Sequence, residues 1–217
     1  RGATRPRRAG LDRPLPEPWP LLAASDVPYA PWTPRPRPMT EADMAAVRDA
    51  FARAAALAAE ARFDLLELDL SQGYLLASFL SPLTNRRPDA YGGTLEGRLR
   101  YPLEVLRAAR EAWPEDRPLA VRLTATDWAP GGLGPDDAVA IARALAEAGC
   151  DLVEPVAGQT VWADHPDFRR LYLVPLSDRV RNEAGVPTLV GGRITTADEA
   201  NTVLAAGRAD LCLFTVV

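Results

Sequence analysis

From Thr40 onward apolar positions recur at helical spacing, with Met44, Val47, Phe51, Ala54 and Ala58 on one stripe. Thr40 followed by Asp43 has the form of a capping box and predicts where that helix opens. The run "FDLLELDL" then has strand length. Thr94 opens a second helix with Leu95, Leu99, Leu103 and Leu106 on one face, and Pro118 leads into the strand "LAVRLTA". Asp136 and Asp137 suit the first turn of a third helix, which stops at Gly149 before "DLVEPV". A fourth, through "LSDRVRNEA", stops at Gly185 before "PTLVGG". A fifth, from Thr196, stops at Gly207 before "ADLCLF".

The repeated unit is therefore helix, glycine, short apolar strand. In its first copy, "AEARFDLLELDL", Arg62 stands near the glycine position. Strands apolar along their whole length fit a parallel sheet covered by helices, and parallel strands need crossovers of this kind. Roughly five βα units are visible, fewer than a closed eight-stranded barrel requires. The pattern fits an open doubly wound sheet or part of a (β/α)8 barrel whose first strands lie upstream. Residues 1–38 differ: they hold nearly half of the 21 prolines and read as an irregular connecting segment, with 39–217 as the folded unit. The cluster Arg5, Arg7, Arg8 reads as solvated.

Composition narrows the functional classes. The chain has 217 residues, is 47% hydrophobic and carries a formal charge of −4, enough for one sizeable core and a poor match to nucleic acid or anionic membrane. No apolar run approaches the roughly 18 residues of a membrane span, and no signal peptide is evident, so the cytoplasm is the default expectation. Cys150 and Cys212 lie in apolar runs and read as buried thiols. All 25 basic residues are Arg, which removes lysine Schiff-base chemistry and the phosphate-loop lysine. A first residue of Arg suggests a fragment of something longer.

In both candidate architectures ligands bind at the carboxyl ends of the strands. Those ends carry Glu67, Asp69 and Gln72, then Arg122, Thr124 and Asp127, then Gln159 and Thr160, then Gly191, Gly192 and Arg193, and finally Thr215. Arg122 inside a strand requires an acceptor-rich partner, either a ligand edge or a barrel carboxylate such as Glu67. Glu67 and Asp69 alternate onto one face, but no His or Cys joins them at ligand spacing, so no metal is expected. His165 has no nucleophile partner and reads as a surface residue. Tyr74, just past a strand end, is either a proton donor or an amphipathic core tyrosine. "NRRPDAYGG" reads as a loop braced by Arg–Asp pairing around a Gly-Gly turn, with phosphate binding as the alternative.

The stretch "QGYLLASFLSPLTNRRPDAYGGTLEGRLRYPLEV", with "VRLTATDW" and "GRADL" downstream, closely resembles the old yellow enzyme family of FMN-dependent NAD(P)H oxidoreductases. Within it, the chain is most similar to the oxidoreductase half of bifunctional salicylyl-CoA hydroxylases. The resemblance implies an α/β fold comprising the C-terminal portion, about strands 4–8, of a (β/α)8 barrel. It also implies FMN at the strand ends, NAD(P)H as reductant and hydride transfer to an activated alkene, an enone or aromatic thioester. An upstream half-barrel is implied, and FAD only with an upstream monooxygenase domain. Tyr74 matches the family's proton-donating tyrosine, and Arg122 the arginine facing the flavin pyrimidine edge.

Some positions depart from the family pattern. The two carbonyl-binding side chains before "GY", usually His with His or Asn, are here Asp69 and Gln72. The Gly-Arg that grips the FMN phosphate after the last strand is replaced by Thr215 and Val216, although Gly191 and Gly192 offer backbone amides nearby. The sequence thus supports a diverged flavin oxidoreductase domain, with a degenerate, non-catalytic barrel domain as the alternative.

Overall fold

The computed structural model describes residues 19–214, together with the backbone of two short strands, β1 (Thr4–Arg5) and β2 (Arg13–Pro14). The basic cluster Arg5, Arg7, Arg8 and residues 215–217 fall outside the described side chains. The remaining elements are β3 (Leu22–Ala23), β4 (Arg37–Pro38), α1 (Glu41–Glu60), β5 (Leu66–Leu70), α2 (Ala77–Leu80), α3 (Leu95–Ala112), β6 (Leu119–Thr126), α4 (Pro135–Glu147), β7 (Leu152–Ala157), α5 (Val174–Arg179), β8 (Leu189–Ile194), α6 (Ala197–Ala205) and β9 (Leu211–Phe214). A π-helical turn, Val180–Ala184, extends α5.

The principal strands are parallel and follow chain order. β5, β6 and β7 form one sheet and β8 with β9 another, joined by a single parallel bridge between Val153 and Thr188. Side-chain alternation assigns the two faces. Leu68, Leu70, Leu119, Val121, Leu123 and Val153 pack under α1, α3 and α4 in the main core. On the opposite face, register sets Asp69 beside Arg122 and Arg122 beside Glu154. A smaller core joins Val156, Leu173, Val190, Ile194 and Val203 beneath α5 and α6. Among the described residues no helix is long and apolar enough to cross a membrane.

The predicted caps are present. Thr40 accepts from the Asp43 N–H, and the Asp43 carboxylate accepts from the Thr40 N–H in return. Gly149, Gly185 and Gly207 follow their helices in the left-handed region, with φ of 98°, 74° and 66°. Arg62 occupies the equivalent place after α1 at φ 61°, a conformation that L side chains adopt at a cost. The closing hydrogen bond is retained there, since the Phe63 N–H donates to the Ala58 carbonyl at 3.1 Å, as Cys150 does to Leu145 at 3.0 Å.

The proline-rich segment is docked from residue 19 onward. Ala24, Ala30 and Met39 are buried, and β3 pairs with β4 in parallel. The Ala24 N–H donates to Ser78 Oγ, and Arg87 donates to the Ala24 and Met39 carbonyls. This arm lies over the loop that follows β5.

Candidate functional site

The loop after β5 carries the most specific sequence motif, and its geometry explains several of the residues. Gln72 and Gly73 adopt φ of 53° and 71°, turning the chain back so that the Tyr74 N–H reaches the Ser71 carbonyl at 3.0 Å. A Cβ on Gly73 would sit 3.0 Å from the Thr160 carbonyl oxygen and 3.2 Å from that of Gln159, so only glycine fits without displacing the β7 loop. The Gln72 N–H donates to Thr124 Oγ1 at 2.7 Å, tying the loop to β6.

Asp127 is the hub of the rim. It is fully buried, and its carboxylate accepts from Ser81 Oγ (2.6 Å), the Leu133 N–H (2.7 Å) and Thr160 Oγ1 (2.5 Å). One side chain therefore holds the loops after β5, β6 and β7 together. The "NRRPDAYGG" loop is braced as the sequence suggests: Arg87 binds Asp89 in a two-pronged contact, and Asn85 donates to the Phe79 and Tyr91 carbonyls. Arg98, buried, donates to the carbonyls of Leu80 and Gly93. These contacts occupy Arg87 and Arg98 and make the loop a scaffold for the arm.

The candidate residues fall into separate groups. Glu67, Asp69, Arg122 and Glu154 share the sheet face turned away from the main core. Asp69 is committed locally, since its Oδ1 accepts from the N–H (2.9 Å) and hydroxyl (2.6 Å) of Ser71. Tyr74, 41% exposed, lines a cavity of about 220 Å³ closed by the arm through Leu22, Tyr29 and Pro36. Arg122 does not line that cavity. Gly191 and Gly192 lie two strands away on β8. A Cβ on Gly192 would press on Leu173 at 2.9 Å, so its left-handed φ of 89° serves packing as well as any ligand. Thr215 lies outside the described residues. His165 is exposed, Gln159 donates its N–H to Asp164 at 2.5 Å, and Arg193 donates to the Phe168 carbonyl at 2.7 Å.

Arg122 is the informative residue. Its Nε is buried with no hydrogen-bond partner, and among the described residues it is the one buried side-chain nitrogen or oxygen in that position. The nearest counter-charge is Glu154 Oε2 at 3.6 Å, outside hydrogen-bond range. Sequence reasoning nominated Glu67 as the alternative partner and missed Glu154, although a lone acid inside the apolar run "DLVEPV" was a usable signal. Glu67 is pushed up to about 7 by burial and by the charge of Glu154, against the opposing pull of Arg122. Among the described residues no group of three or more potential ligands gathers to hold a metal ion. A planar donor with an unused N–H fits the acceptor-rich pyrimidine edge of a flavin, and on that side the residues suit the group.

Parallel strands in chain order, joined by helical crossovers, with a polar rim at their carboxyl ends, define an α/β scaffold, a class in which ligands generally bind at that end of the sheet. The chain belongs to the NADH:flavin oxidoreductase / NADH oxidase family, whose model matches residues 23–215. Members of this old yellow enzyme-like family are flavin oxidoreductases that use FMN with NAD(P)H as reductant. An NADPH dehydrogenase of Geobacillus thermodenitrificans is 42% identical over 191 residues, covering 88% of this chain and 55% of that protein. A 2-naphthoyl-CoA reductase solved with 2-naphthoyl-CoA superposes with a TM-score of 0.81 at 27% identity, covering 97% of this chain and 32% of that one. The old yellow enzyme homologue of Zymomonas mobilis, at 24% identity and TM-score 0.72, covers 90% of this chain and 57% of that one and shares the fold. The chain thus spans about half the length of the curated relatives it matches, 55% in the first two.

Proposed function

We propose that this chain is the flavin-facing portion of an FMN-dependent NAD(P)H oxidoreductase of ene-reductase type. In this reading β5 to β9 are the later strands, about the fourth to the eighth, of a (β/α)8 barrel, and the others belong to an upstream half. The single observation that carries the proposal is the buried, unsatisfied Nε of Arg122 on the ligand-facing side of the sheet. FMN, when bound, supplies the hydride it has received from NAD(P)H.

The roles of the chain's own residues follow from their chemistry. Arg122 offers fixed, always-charged donors to an electron-rich ring edge, which costs little reorganisation because the strand holds it. Tyr74 presents a phenol whose proton can pass to the substrate at the cavity wall. Gln72 can offer its side-chain amide to a substrate carbonyl, whereas Asp69 has turned one carboxylate oxygen to Ser71. An enone or aromatic thioester is the substrate class proposed, in keeping with the likeness to the 2-naphthoyl-CoA reductase. The test is NAD(P)H turnover with such a substrate. A Tyr74→Phe variant is expected to lose most of it while retaining flavin; unchanged turnover would remove Tyr74 from the reaction.

A second reading, a barrel segment with a structural or docking role, is favoured by the internal commitment of Asp69 and by a Tyr74 cavity that Arg122 does not line. It is abandoned if the wild-type protein turns over NAD(P)H and Arg122→Ala does not.

A further inference from the structure

Beside the Tyr74 cavity lies a groove that the roles above do not use. It has a volume of about 330 Å³ and is walled by Arg86 and by Pro130, Val161 and Trp162 from the loops after β6 and β7. Val27 and Tyr29 of the arm line both spaces, so a ligand leaving the cavity past them enters the groove. The two spaces differ in charge. Among the described residues no charged side chain lines the cavity, and Thr33, Ser78, Thr84 and Thr160 spend their hydroxyl hydrogens on protein acceptors. An ionised group placed there would lack a counter-charge. The groove has the opposite character. Arg86 is exposed, and its guanidinium makes no hydrogen bond or ion pair with the described residues; only its backbone N–H is engaged, by Ser25 Oγ at 2.8 Å. The acids flanking the groove are taken, Asp26 by Arg35 and Asp164 by the Gln159 N–H. Trp162 is 49% exposed and meets the exposed Trp32 edge to face at 5.2 Å, which keeps indole surface open to a flat ring.

We propose that the cavity and the groove are two halves of one site. The cavity takes a neutral apolar or aromatic head, and the groove takes the phosphate-bearing, aromatic-base tail of its carrier, with Arg86 on a phosphate and Trp162 against the base. This deepens the reading under Proposed function, on which the place of the head beside Tyr74 rests. Of the two substrate classes named there, the site favours a thioester on a nucleotide carrier over a free enone. Size agrees. An apolar cavity of about 150 Å³ accepts benzene, and one of about 220 Å³ has room for a ring with its carbonyl. Charge agrees as well. A free carboxylate head would be unpaired in the cavity, whereas its thioester is neutral there and carries its negative charge on the tail, where Arg86 is waiting. Rejection by the cavity and attraction by the groove thus select the same form of the ligand.

The test measures binding of two probes to the full chain by titration calorimetry, without turnover. One is the benzoyl thioester of coenzyme A; the other is the benzoyl thioester of N-acetylcysteamine, which has the same head and carbonyl but no nucleotide. The first is expected to bind about tenfold tighter or better, with the preference shrinking as salt is raised. Arg86→Ala is expected to weaken the coenzyme A thioester about tenfold and to leave the N-acetylcysteamine thioester unchanged. Arg86→Lys is expected to restore part of that loss, and Trp162→Ala to weaken the first probe alone. Arg86 is exposed and its backbone contact survives the substitution, so the fold is retained. Equal affinity for the two probes in the wild type, failure of both to bind, or an Arg86→Ala variant that changes neither or both alike overturns the proposal. A wild-type chain that takes up no flavin sinks the reading under Proposed function instead, and the comparison of the two probes still decides the groove.

Discussion

Arg62 holds backbone strain at the end of α1, and Asp127 gathers three buried donors at the rim. Arg62 was visible because three sister positions are glycine, and the structure puts it in the same left-handed geometry at φ 61°. Arg62→Gly is expected to stabilise the fold by about 0.5–1 kcal/mol, since removing the Cβ relieves more than the added chain entropy costs. Urea denaturation checks this, and a lower midpoint would contradict it. Asp127 read only as a rim acid. Its three donors come from residues 46, 6 and 33 positions away, a convergence no local pattern encodes. Asp127→Ala leaves those donors unmatched and is expected to cost about 3 kcal/mol or more, by the same measurement. A change under about 1 kcal/mol would show that water replaces the carboxylate.

At the scale of elements, helix periodicity, caps and glycine stops located the five main helices and the strands between them, because those signals are local. The short helix α2 was not legible: four residues carry too little periodicity, and it forms because its buried face, including Phe79 and Leu80, packs into the main core. The arm was misleading in a different way. Proline density suggested an irregular connector, whereas the arm forms short strand pairs, β1 with β2 and β3 with β4, and is docked by Arg87 reaching the carbonyls of Ala24 and Met39. Arg87→Ala is expected to free the arm, so limited proteolysis should cut between residues 19 and 38 several times faster than in the wild type. Equal cleavage rates would mean that apolar burial alone holds it. The tight β5 loop is a third case: a left-handed Gln72 has no sequence signature, and only the neighbouring glycine hinted at the turn.

For the whole molecule, opposed titrations bound the range of stability. Glu199 is held down to about 2, chiefly by the Thr195 N–H with help from Arg170, so its contribution is present above its ordinary value of 4.5 and is lost as pH falls. Glu67 works in the other direction. Raised from 4.5 to about 7, it keeps in the folded state a proton the unfolded chain has released, so stability declines as pH rises between those values. The melting temperature is expected to fall from pH 5 to pH 7.5, and Glu67→Gln to flatten that slope; a wild-type rise over the interval would contradict the assignment. The family relationship was readable from the long motif after β5, while the chemistry of the sheet face turned away from the main core was not. That chemistry depends on the register of β5, β6 and β7, which places Glu154 against Arg122 across the sheet.

Equilibrium binding of FMN to the purified wild-type chain and to Arg122→Ala tests whether Arg122 meets the flavin edge. One flavin is expected to bind per chain, with affinity reduced about tenfold or more by the substitution, as befits the loss of a charged donor pair. A wild-type protein that takes up no flavin at saturating FMN, or a variant that binds it equally well, would contradict the assignment of Arg122 to the flavin edge.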